Sequence, residues 1–190
     1  MAKRPPEKHL TTSYILAELI SAVLSPVTSI ILIVGLVIYK FNFPVTKFLI
    51  ILTPFVASII IFMIVKVGIL RDADLDLTRL KMRQNLGITA MFGFILTYIL
   101  ALIFLPAANE MFSKAGIIIV IMALVTSKWK ISIHAISYTS LCLTCIGLFG
   151  PRFALTLLLL PVLYWSRLKL KKHTLPQLLA GSAICLVILI

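Results

Sequence analysis

The chain has 190 residues, of which 61% are hydrophobic and only 13% charged, and its mean hydropathy is +1.14. Soluble domains carry about 25% charged and about 45–50% apolar residues, so this composition excludes an ordinary soluble protein and implies an integral membrane one. The net charge of +12 is no sign of nucleic acid: the basic residues lie in short loops between apolar segments, where membrane topology and anionic headgroups account for them.

Residues 1–13 form a polar N-terminal tail with Lys3, Arg4, Glu7 and Lys8, and His9 within it has no expected role. The apolar run that follows is too long for the core of a signal peptide and reads as an uncleaved first span. Apolar segments then cover approximately 14–39, 45–70, 87–106, 115–128, 133–149, 152–166 and 175–190. In lipid each backbone polar group must be satisfied within its own segment, which makes runs of this length helices. About 20 apolar residues cross a bilayer, so the expectation is one all-α domain over residues 1–190, a transmembrane bundle of about six to seven spans. The segments 115–128 and 152–166 are short and read as tilted partners. Pro26, Pro54 and Pro161 fall inside spans and predict kinks. Cys142-x2-Cys145 and Cys185 lie in apolar helices and read as small buried residues, not as a redox pair or disulfide framework.

Three polar clusters interrupt the apolar chain: Arg71 to Arg83, Lys130 to His134, and Ser166 to Gln177. If all seven segments cross, the clusters share one side. Fourteen of the eighteen lysines and arginines fall on that side, and Lys40, Lys47, Lys114 and Arg152 on the other. Without Arg79, Arg83, Lys130 and Arg167, which a phosphate site would require for itself, the balance is still ten to four. The positive-inside rule then makes the clusters cytoplasmic. Trp129 and Trp165 at span ends on that side suit an interfacial belt.

A charge between membrane segments is costly and usually functional. The third cluster reads Ser166-Arg167-x5-His173-x3-Gln177, the second Ile131-Ser132-Ile133-His134, and the first Asp76-x6-Arg83-Gln84. The third resembles the third motif of the type-2 phosphatidic acid phosphatases, Ser-Arg-x5-His-x3-Asp. The second resembles that family's Pro-Ser-Gly-His and keeps the Ser and His. The first lies where Lys-x6-Arg-Pro is expected and keeps only Arg83. The matches occur in family order over roughly residues 70–185, the phosphatase-like core.

This resemblance implies metal-independent hydrolysis of a lipid phosphate or isoprenyl (di)phosphate, without a cofactor. It implies His173 as the nucleophile that becomes phosphohistidine and His134 as the acid that protonates the leaving alkoxide. Arg83, Arg167 and Ser132 are implied as holders of the phosphoryl oxygens. The chemistry suits the residue types, since a neutral imidazole is nucleophilic near pH 7, a second imidazole can donate a proton, and guanidinium forks match phosphate oxygens. Two positions depart from the family. Gln177 replaces an Asp that orients the nucleophile and stabilises its cation, and a neutral amide can only orient. Thr174-Leu-Pro-Gln177 also fits a capping box, so Gln177 has a helix-capping reading beside the orienting one. Asp76 replaces the first motif's Lys, leaving Arg79, one turn before Arg83, and Lys130 as candidates for the missing contact.

Competing readings are a phosphotransferase that hands the phosphoryl group to an acceptor lipid, and a lipid-phosphate-binding protein without turnover. Asp72, Asp74 and Asp76 also resemble the Mg²⁺-binding aspartates of membrane prenyl and alcohol-phosphate transferases. The second acidic cluster those enzymes need is absent from a chain with six acidic residues. The partners expected are thus the bilayer and a lipid-phosphate substrate, for which a narrow bundle with no extramembrane cap favours a slender isoprenyl tail.

Overall fold

The computed structural model describes residues 12–69 and 80–190, with side chains described outside 65–69 and 80–83. The described residues are helical, with no strand. In chain order the α-helices are α1 (Thr12–Val23), α2 (Pro26–Phe41), α3 (Val45–Ile69), α4 (Leu80–Phe104), α5 (Asn109–Thr126), α6 (Ile133–Phe149), α7 (Leu160–Lys169) and α8 (Leu175–Leu189). Four stretches are long and apolar enough to cross a membrane: Thr12–Phe41, Val45–Ile64, Gln84–Phe104 and Pro106–Thr126. Two shorter apolar helices, α6 and α8, accompany them. Much of the surface is aliphatic, as lipid-facing helices require: Val27, Ile31, Ile64, Phe92 and Leu124 are each more than 60% exposed.

Several expectations are corrected. The first apolar run is two helices. Ser25 caps α2 by accepting the Thr28 N–H at 3.2 Å, and Pro26 stands in the first turn, where its missing N–H costs nothing, so Pro26 starts a helix and kinks none. Pro161 likewise opens α7; Pro54 alone of the three lies inside a helix. The segment expected at 115–128 is longer, because a 3-10 turn (Pro106–Ala108) runs directly into α5. The segment at 152–166 is not one α-helix: Pro151–Leu159 is 3-10 and α7 follows with ten residues.

Packing forms two halves that meet through α2 and α5. One core joins α2, α3, α4 and α5 through Val37, Phe48, Ile51, Ala101 and Phe112. Gly93 on α4 lets α3 approach: a Cβ there would lie 2.1 Å from the Ser58 hydroxyl and 3.0 Å from the Pro54 carbonyl. The buried Thr97 hydroxyl accepts the Phe55 N–H at 3.2 Å, just past the proline that disturbs the α3 ladder. The other half packs α6 against α8, with α2 and α7 also on α6 and α1 on α7.

The α6–α8 contact positions the site. Gly181 lies against the start of α6, where a Cβ would meet the Ser132 carbonyl at 2.9 Å and the Ala135 Cβ at 3.1 Å. Polar contacts fasten this seam: Thr139 donates to the Ser182 hydroxyl at 2.8 Å, and the Tyr164 hydroxyl of α7 lies 2.5 Å from the same oxygen. The Ser132 N–H donates to the Gln177 carbonyl at 3.3 Å, so the starts of α6 and α8 lie side by side.

Candidate functional site

Ser132 and His134 begin α6. Ser132 has extended backbone, and its hydroxyl accepts the Ala135 N–H at 3.4 Å, which makes it the N-cap. It is fully buried. Its hydroxyl is thus used as a helix cap and is shielded from solvent. His134 follows in the first turn, half-buried and outside the four membrane-crossing stretches.

His173 directly precedes the Thr174 N-cap of α8. Its Nδ1 lies 3.2 Å from the Gln177 Oε1, and the Thr174 N–H donates to the same oxygen at 3.1 Å. Gln177 Oε1 thus meets both the His173 ring and the cap N–H, and the capping box is present. With Nδ1 as the N–H donor to Oε1, Nε2 is the unprotonated ring nitrogen.

Ser166 and Arg167 lie in the last turns of α7 and are held by α1. The Ser166 hydroxyl donates to the Ala17 carbonyl at 2.6 Å, and Arg167 Nη1 donates to the Ser21 hydroxyl at 2.6 Å. Arg167 Nε is buried with no hydrogen-bond partner among the described residues. The ion pair found among those residues, Glu110 with Lys114 at 2.9 Å, involves neither the arginine nor the histidines.

The electrostatics join these parts. Burial, then the charges of Arg167 and His173, push the His134 imidazole down from its ordinary 6.5 to about 4, while the Ser21 carbonyl opposes the shift as a hydrogen-bond acceptor. The Arg167 guanidinium and the His173 imidazole thus both act on His134, beside the N-termini of α6 and α8, which add partial positive charge. This is a setting for an anion.

The remaining candidates are less defined. Lys130 is half-buried in the loop before α6. Arg83 stands on α4, but its side chain lies outside the described residues, as does Arg79 entirely. Gln84 Nε2 donates to the Ser127 carbonyl at 3.0 Å, which brings the start of α4 beside the loop that leads to Ser132. Asp72, Asp74 and Asp76 also lie outside the described residues.

Sequence reasoning missed α1 and Gly181. The available signal was small residues on one face of an otherwise bulky helix, Ala17 and Ser21 among Ile15, Leu16, Leu19 and Ile20, since such residues mark close helix packing. Compared with family models, with curated proteins and with solved structures, the chain matches none.

Proposed function

We propose that this chain is an integral-membrane lipid phosphatase that hydrolyses a lipid phosphate or isoprenyl (di)phosphate through a phosphohistidine, without a metal ion. The observation that carries the reading is the His173–Gln177 pair at 3.2 Å, in a cluster where the charges of Arg167 and His173 both bear on His134. In this mechanism the His173 Nε2 lone pair attacks phosphorus and the P–O bond to the lipid breaks. His134, protonated, gives its proton to the leaving alkoxide and becomes neutral. It then takes a proton from water, whose oxygen attacks the phosphohistidine, and phosphate leaves as His173 is restored. Arg167, with Arg83, Arg79 and Lys130 as further cations and Ser132 as a hydroxyl donor, stabilises the charge spread over the equatorial oxygens.

An imidazole held near 4 is neutral in the empty site, so His134 becomes an acid only when the substrate's negative charge offsets Arg167 and His173. We read the bundle as having up to six or seven crossings, with the starts of α6 and α8 at the cytoplasmic interface.

The test is phosphate release by purified protein over a panel of lipid phosphates, with and without EDTA, beside His173→Ala and His134→Ala. Turnover that survives EDTA and falls by at least about a thousandfold in His173→Ala is expected. Unchanged turnover in His173→Ala sinks the mechanism. Phosphate released only with an acceptor lipid present identifies a transferase instead. The neutral Gln177 favours one second reading, a protein that binds lipid phosphate without turnover, for which the panel yields binding and no release.

A further inference from the structure

We infer that α1 completes the anion site, with Ser21 as a positioning residue that holds Arg167 by its hydroxyl beside His134. The inference rests on the phosphate reading above. The second and third motifs lie at the starts of α6 and α8 and on α7, the first runs into α4, and none of them accounts for α1, whose two contacts with Ser166 and Arg167 join residues 149 and 146 positions apart.

An arginine side chain is long and rotamer-rich, and one beside an imidazole is driven away by like charge whenever the ring protonates. The Ser21 hydroxyl removes that freedom by accepting from Nη1 at 2.6 Å. A guanidinium engages an oxyanion through two parallel N–H groups on one edge. With Nη1 committed to Ser21, the edge formed by Nε and Nη2 is the one left for two phosphoryl oxygens, and Nε is the buried atom without a partner. The Ser21 carbonyl lies on the His134 side and opposes the downward push on its imidazole. Among the described residues, the charged groups that act on His134 are Arg167 on α7 and His173 ahead of α8, so one α1 residue holds the guanidinium beside the imidazole it repels. One turn earlier, the Ser166–Ala17 bond clasps α1 to α7 again. Ile15, Leu16, Leu19 and Val23 of α1 are exposed, as a lipid-facing helix requires.

The experiment uses the full chain in detergent, labelled with ¹⁵N-histidine, which reports only three residues. Inorganic phosphate is titrated into wild type, Ser21→Ala, Ser21→Thr and Ser21→Asp, and the His134 titration midpoint is read in each by NMR. Ser21→Ala is expected to weaken phosphate binding about tenfold or more, and Ser21→Thr, which keeps the hydroxyl, to stay within about threefold of wild type. Ser21→Asp, which supplies an internal anion to Arg167, is expected to abolish binding and to move the His134 midpoint upward. Phosphate binding at wild-type strength in both Ser21→Ala and Ser21→Asp overturns the inference and leaves the phosphatase reading standing. Absence of phosphate binding by wild type overturns the phosphate reading. The His134 midpoint in Ser21→Asp then decides the positioning role alone: an upward move upholds it and an unmoved midpoint overturns it.

Discussion

At the scale of single residues, Gln177 concentrates the chemistry. Its Oε1 accepts from both His173 and Thr174, so one side-chain oxygen caps a helix and orients an imidazole. Glutamate keeps the reach of glutamine and adds the charge that stabilises a histidine cation, in a first helical turn where a carboxylate is favoured. Gln177→Glu is therefore expected to raise turnover about tenfold or more in a steady-state assay of phosphate release, whereas Gln177→Leu should lower both turnover and stability, the latter by about 1 kcal/mol through the lost cap. His134 belongs to this scale too. Its folded value of about 4 lies below the ordinary 6.5, so between these values the unfolded chain binds more protons than the folded one. Its contribution to stability is present above pH 6.5 and is lost as pH falls toward 4. The melting temperature in detergent should drop over that window, and His134→Gln should flatten the drop.

At the scale of elements, the decisive feature is the side-by-side start of α6 and α8. Gly181 permits it, because any side chain would enter the space of the Ser132 carbonyl and the Ala135 Cβ. Alanine is ordinarily the better helix former by about 1 kcal/mol, yet Gly181→Ala should destabilise the fold by about 1–3 kcal/mol and reduce turnover, because relief of the overlap moves Ser132 and His134 relative to His173. The paired measurement is a melting curve beside a rate; a variant that is more stable and fully active contradicts the packing argument. Thr97 has the corresponding role in the other half. Thr97→Val deprives the Phe55 N–H of its acceptor and should cost about 1–2 kcal/mol in the same melting assay, with turnover little changed, because that contact belongs to the α3–α4 pair and not to the α6–α8 seam.

At the scale of the whole molecule, the prediction is orientation. The clustering of lysine and arginine in the loops that carry the site argues for a cytoplasmic face. Cys142, Cys145 and Cys185 are buried and offer little background to a thiol reagent. Leu170→Cys should therefore resist a membrane-impermeant maleimide in intact cells and react once the cells are opened; labelling in intact cells reverses the orientation.

Much of the architecture was legible in the chain. Lipid leaves the backbone no partner outside its own helix, so apolar runs announced helices, and the spacing from Ser166 to Gln177 announced a cluster. The capping box was equally readable, since Thr174 and Gln177 act within a single turn. Helix breaks were less so. Pro26 and Pro161 read alike as kinks within spans, but each begins a helix, and a proline's effect depends on whether the residue before it continues or caps.

The membrane solvent, the helical class and the local order of the polar residues are written along the chain, because hydropathy and short-range spacing are properties of sequence neighbours. Only the tertiary structure decided that Ser132 is a buried cap, that Gly181 lets the two histidine-bearing helix starts converge, and that Ser21 grips Arg167 across 146 positions. Those are consequences of close approach between distant segments. A small residue on an apolar helix carries no mark of which partner it will admit until the helices have packed.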